Sequence, residues 1–133
     1  MSFMFEKLEV YQKSVDFAEQ ISSSTDTFSK GNYALKDQLS RASLSIAANL
    51  AEGNGRWHKA ERKQFFWIAR GSAQECVPLM EIAKRKGFIK EEQHQRLLQD
   101  LESICKMING LIRGLDTTKA EPHERMSIGT AEQ

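Results

Sequence analysis

The stretch Gln38–Arg56, QLSRASLSIAANLAEGNGR, constrains this chain more than any other part of it. Leu39, Ala42, Ile46, Leu50 and Gly53 recur at steps of three and four, the period of one buried helical stripe. Between them stand Ser40, Ser43, Ser45, Ala47, Ala48 and Ala51, all small. Small side chains let a neighbouring helix approach closely, so this is expected to be the most tightly surrounded helix of the fold. Arg41, Asn49, Glu52 and Arg56 share the stretch, and such groups need partners wherever they are buried. A structural network of hydrogen bonds and ion pairs that fixes the corner is the first reading; a functional site is the sharper one.

The rest of the chain supplies three more helical patterns. Phe5 to Phe28 carries two adjacent seams, Leu8-Tyr11-Val15-Ala18 and Val10-Phe17-Ile21-Phe28, wide enough to face two neighbours. Ser29-Lys30-Gly31-Asn32 then turns the chain, and Asn32 is placed to cap a second helix over Tyr33–Gly53. Gly53 and Gly55 are expected to end that helix through left-handed backbone angles. The third helix is predicted over His58–Lys86, with Phe65, Ala69, Ser72, Cys76, Leu79 and Ala83 as its seam. Phe66, Trp67, Ile68, Met80 and Ile82 widen its apolar surface, which suggests contacts beyond its own bundle. Pro78 predicts a kink near Gln74–Pro78. Gly87 closes the helix, and Glu91–Leu115 forms the fourth along Leu97, Leu101, Ile104, Ile108, Leu111 and Leu115. Periodicity stops at Asp116, so residues 116–133 read as a mobile polar tail.

Length allows one core and not two. No apolar run reaches the roughly 18 residues of a membrane span, and MSFMFEKLEV is acidic where a signal peptide is basic. A cytoplasmic location is expected. Cys76 and Cys105 lie on apolar stripes and read as reduced thiols. The near-zero net charge hides an asymmetry. Lys and Arg exceed Asp and Glu by seven between Lys30 and Lys90, while the remaining residues carry an acidic excess of six. Either a basic face or mutual attraction between helix pairs follows.

Enzymatic chemistry finds little support. A di-iron bundle needs two Glu-x-x-His pairs and two further glutamates; only Glu91–His94 has the spacing, at what reads as an exposed helix start. Gly53-Asn54-Gly55 follows a helix and not a strand, so it is no dinucleotide loop. The cysteines lack a basic neighbour in sequence, and no triad is evident. Nucleic-acid contact is better supported. RWHKAERK (Arg56–Lys63) mixes cations with Trp57; Arg and Lys neutralise phosphates and an indole stacks on an unpaired base. Lys84-Arg85-Lys86 and Lys90 form a second basic cluster, where solvated charges complementing a helix dipole are the plain alternative.

QLSRASLSIAANLAEGNGR resembles the signature of the small four-helix bundle proteins encoded in intervening sequences of bacterial 23S rRNA genes. FEKLEVYQKSVDFA (Phe5–Ala18), the Gly71-Ser72 pair followed by Glu75, and Lys86-Gly87-Phe88-Ile89 resemble the same family. The resemblance spans roughly residues 3–115 and is most specific at Asn49, Glu52, Gly53 and Arg56; Pro78 and Ser29 depart from the family pattern. It implies an up-down bundle that assembles as a homo-oligomer, with pentamers described. It also implies kinship with accessory proteins of diversity-generating retroelements, which bind a reverse transcriptase and nucleic acid. It implies no reaction.

The expectation is therefore an all-α, up-down-up-down antiparallel four-helix bundle over residues 1–115, without metal or cofactor. It would act as a non-enzymatic homo-oligomeric platform, a pentamer favoured, for RNA or a nucleic-acid-handling protein. Its predicted nucleic-acid contacts are Arg56, Trp57, Lys59, Arg62 and Lys63, with Arg62 and Lys63 exposed. Arg41, Asn49, Glu52, Gly53 and Glu75 would form the structural or inter-subunit cluster, Glu75 being a candidate partner for Arg41. The alternative is a purely structural or protein-binding oligomer.

Overall fold

Each of the four apolar periodicities becomes a helix. The computed structural model describes residues 4–28 and 30–117; Ser29 of the first turn and the predicted tail from residue 118 onward lie outside the described residues. A short 3-10 turn, Met4–Lys7, precedes α1 (Glu9–Thr25), α2 (Tyr33–Asn54), α3 (Lys59–Arg85) and α4 (Glu91–Thr117). No strand occurs among the described residues. The fold is an all-α four-helix bundle, in which α2 packs on α1 and α3, and α4 on α3 and α1.

The first helix starts later than its pattern suggests. Leu8 is extended, with φ −72° and ψ 127°, which breaks the predicted run from Phe5. Gln12 Nε2 donates to the Glu6 carbonyl at 2.8 Å across that break. At the other end, Ser24 Oγ and Thr27 Oγ1 donate to the Gln20 and Ser24 carbonyls, offering the backbone a rival to helix geometry. The core takes the Val10-Phe17-Ile21 seam, while Val15 of the other seam is exposed.

The α2 stripe is buried as read: Leu39, Ala42, Ile46, Leu50 and Gly53. Its termini differ from the expectation. Asn32 stands at the N-cap without a side-chain capping bond, and its carbonyl accepts from the Lys36 N–H at 3.1 Å. Gly53 and Gly55 do not end the helix by left-handed angles; positive φ is confined to Gly31 and Gly87 among the described residues. Gly53 has a different task. A Cβ there would sit 2.8 Å from Phe66 Cε1 and 2.9 Å from Phe65 Cβ, so its missing side chain lets α3 close onto α2.

On α3 the core face is rotated by about one position. Ala69, Cys76 and Ala83 are buried as predicted, but Phe66, Ala73 and Met80 complete the face instead of Phe65, Ser72 and Leu79. The helix runs through Pro78 on its exposed side without ending there. Gly87 (φ 81°) then stops it: its N–H bonds the Lys84 carbonyl and the Phe88 N–H bonds the Ala83 carbonyl, each at 2.9 Å. That pair of bonds satisfies two orphan carbonyls. Phe88 packs against Phe28, ring centroids 4.9 Å apart, which sets the α3–α4 turn beside the α1–α2 turn. Along α4 the buried line is His94, Leu97, Leu101, Ile104, Ile108 and Ile112, one turn longer at its start than expected, with Ile112 buried at its end where Leu111 and Leu115 are only half-buried.

Cys76 is fully buried and Cys105 partly; both are free thiols. Burial pushes the Cys76 thiol up to about 12 and raises that of Cys105.

Candidate nucleic-acid interface

The α2–α3 corner is built from the end of α2 and four residues of turn. Glu52 lies one helical turn before Arg56, and its carboxylate accepts from the guanidinium at 2.9 Å. The same guanidinium lies over the Phe65 ring, 4.8 Å from its centroid. Arg62 folds back from the first turn of α3 so that its Nε donates to the Arg56 carbonyl at 2.7 Å. Lys63 reaches across to an ion pair with Asp116 at the end of α4. Arg62 and Lys63 are thus half-buried, where exposure was expected; their stems pack while their charges find local partners. Lys59 is half-buried as well. Trp57 is different: it is 62% exposed on the turn between Arg56 and Lys59.

The predicted polar cluster is not a single buried site. Asn49 is half-buried and donates through Nδ2 to the Ser45 carbonyl and hydroxyl at 2.8 and 2.9 Å. Ser72 on α3 donates to that Ser45 hydroxyl at 2.9 Å, so small polar groups bridge the two helices mid-length. Arg41 and Glu52 stand outside, exposed. Arg41 pairs with Asp37 one turn back at 3.1 Å, not with Glu75. Glu75 is exposed and makes no hydrogen bond or ion pair among the described residues. The phase of α2 explains this: Arg41 and Glu52 fall opposite the Leu39-Ile46-Leu50 stripe.

Large apolar side chains are exposed elsewhere along α2 and α3 as well. Leu44 on α2 is 61% exposed, and Trp67, Ile68, Val77 and Ile82 on α3 are exposed too. The Arg70 guanidinium covers the Trp67 ring at 3.9 Å and donates to Asn109 Oδ1 at 2.7 Å.

Half of the second basic cluster, Lys84 and Arg85, is engaged with acids. Arg85 Nε donates to Glu81 at 2.8 Å, and Lys84 sits between Glu81 and Glu91 at 3.6 and 3.3 Å. The Arg85 hydrogen bond holds the Glu81 carboxyl below the usual carboxylate range, and Gln95 with Lys84 does the same for Glu91. Glu91 and His94 part company here. Glu91 is exposed, whereas His94 is only 3% exposed, with neither ring nitrogen hydrogen-bonded and Nε2 3.7 Å from Glu81. Sequence reading missed this histidine as a core residue. Extending the Leu97-Leu101 stripe back by three positions would have found it.

Fold and site together define a four-helix bundle whose surface chemistry, at this corner, is cationic and aromatic. No helix among the described residues is long and apolar enough to cross a membrane. Residues 6–110 match the 23S rRNA-intervening sequence protein family, and the chain belongs to it. A crystal structure of a protein of unknown function from the S23 ribosomal protein family, from Bacteroides thetaiotaomicron, is similar at 26% identity. It superposes with a TM-score of 0.72 over 77% of this chain and 97% of the other. No curated protein shows a significant match.

Proposed function

We propose that this chain is a non-enzymatic, cytoplasmic homo-oligomer, a pentamer favoured, that contacts RNA through the α2–α3 corner. Its helices run up-down-up-down; contacts from Lys63 at the start of α3 to Asp116 at the end of α4, and from Phe28 to Phe88, fit that arrangement. One observation carries the RNA reading: an indole 62% exposed between two cations, an aromatic face of the kind on which an unpaired base stacks. Arg56, Lys59, Arg62 and Lys63 supply phosphate contacts around it. An oligomer repeats the patch, and repetition raises affinity without a strong single site.

A second reading rests on a different observation. Leu44, Ile68, Val77 and Ile82 are apolar side chains left exposed along α2 and α3, and a protein partner or a neighbouring subunit would cover such residues. In that case the chain is a structural or protein-binding oligomer, and a nucleic-acid-handling protein is one fitting partner.

Fluorescence anisotropy with a structured ribosomal RNA fragment and a single strand, across a salt series, separates the two. Binding that weakens steeply with salt and is lost on reversing Arg62 and Lys63 supports RNA contact at the corner. No binding at low salt, with the assembly's mass verified by light scattering, moves the function to a protein partner.

A further inference from the structure

The far end of α2 holds a second aromatic and cationic arrangement that the sequence does not show as one place. Phe28, Lys30, Gly31, Asn32, Tyr33 and Lys36 line an open cleft of about 270 Å³. Tyr33 is the most exposed large aromatic of the described chain, at 76%. Lys36 is engaged with Asp26 at 3.8 Å. Lys30 is exposed and pairs with no acid among the described residues. The Phe28–Phe88 contact brings the α3–α4 turn alongside, and there Lys86 and Lys90 are likewise exposed and unpaired among the described residues. The two turns therefore bring exposed cations to the end of the bundle where the cleft has its aromatic wall. Its volume lies just below the usual range for whole small-molecule ligands, roughly 300–1,000 Å³, and is large enough for one unpaired base. Lysines alone would serve any anion. An exposed tyrosine at the rim of the same cleft selects a planar, phosphorylated partner.

We propose that this cleft takes one nucleotide of single-stranded RNA, its base stacked on Tyr33 and its backbone phosphates on Lys30, Lys86 and Lys90. Because the cleft is a second contact for the same RNA-binding activity, it stands only if that activity does. The two sites bracket α2, whose 22 residues span roughly 33 Å, so a single strand long enough to reach both would bind more tightly than a short one.

The test is anisotropy of a fluorescein-labelled uridine decamer with the full chain, in a KCl series. Tyr33→Ala is expected to weaken binding about tenfold, and Tyr33→Trp to keep or improve it, since stacking follows the aromatic face. Lys30→Gln with Lys90→Gln should lower the slope of log affinity against log salt by about 1.4, two phosphate contacts on a single strand. If these variants bind as the unmodified chain does while reversal of Arg62 and Lys63 abolishes binding, the cleft is overturned and the corner stands. Binding of the structured fragment without the decamer also overturns the cleft alone; binding of neither overturns both. A glutamate decamer bound as tightly as the uridine decamer would replace the nucleotide with an acidic peptide.

Discussion

The two ends of α2 differ in how much of their cationic charge is held: Lys36, Lys84 and Arg85 are paired at one end, but three further lysines there are not. At the α2–α3 corner the arginines and Lys63 are held: Arg56 by Glu52 and Phe65, Arg62 by a backbone carbonyl, Lys63 by Asp116. At the α1–α2 turn and its neighbour, Lys30, Lys86 and Lys90 are left to solvent. A held cation is positioned at low entropic cost but is partly neutralised. An uncommitted lysine keeps its full charge and its rotamer freedom, which binding must then take away. Basic residues counted along a sequence are therefore a poor measure of available charge; the acids that fold beside them decide.

Several substitutions can break or sharpen this contrast. Gly53→Ala should have the largest effect, a loss of about 3 kcal/mol in urea unfolding, because Phe65 and Phe66 must move for a Cβ to fit. Were it neutral, the corner would be far more plastic than its held cations imply. Phe88→Ala should cost about 2 kcal/mol by removing the half-buried ring that joins the two turns, and it should weaken binding at the cleft while sparing the corner. Cys76, mid-way along α3, is a control that belongs to neither end. Its folded value is raised to about 12 from 9.0, so the folded state holds the proton that the unfolded chain releases. Stability is thus full below pH 9 and falls by about 1.4 kcal/mol per pH unit above it until about pH 12. Cys76→Ala should flatten that slope in unfolding curves recorded at pH 8 and 10.

Smaller changes probe the charges themselves. His94→Leu should raise the urea midpoint by about 1 kcal/mol equivalent, since it removes two buried nitrogens without hydrogen bonds. A loss instead would mean that the imidazole is held by more than packing. Asp116→Asn releases Lys63 and should tighten RNA binding about twofold in anisotropy with negligible change in stability, as exposed pairs contribute little. No gain there would show that partnering does not limit the corner.

The α2 stripe was fully legible because its period is strict and its intervening residues are small. The α4 line is legible from Leu97 to Ile108; it departs at His94, where a polar side chain interrupts an apolar count that geometry continues, and at its end, where Ile112 is buried and Leu111 and Leu115 are half-buried. On α3 apolar residues surround the helix from Phe65 to Ile68, so periodicity could not fix the phase, and Phe66 displaced Phe65 from the core. The corner's composition was readable, but the pairing of Lys63 with Asp116 joins residues 53 positions apart. The joining of the two turns by Phe28 and Phe88 is equally non-local. Gly53 carries two expectations: its place on the buried stripe holds and allows a close helix approach, whereas its left-handed turn role does not.

That approach bears on the order in which the chain folds. α2 and α3 are joined by four residues and meet through Gly53, Phe66 and the Ser45–Ser72 hydroxyls. Contacts so near in sequence close a short loop and lose little chain entropy. The middle of the molecule should form its helical hairpin first, and α1 and α4 should dock onto it afterwards. α1 leaves the ribosome before either of its partners, so it must wait as an unsupported amphipathic segment until the hairpin offers a surface.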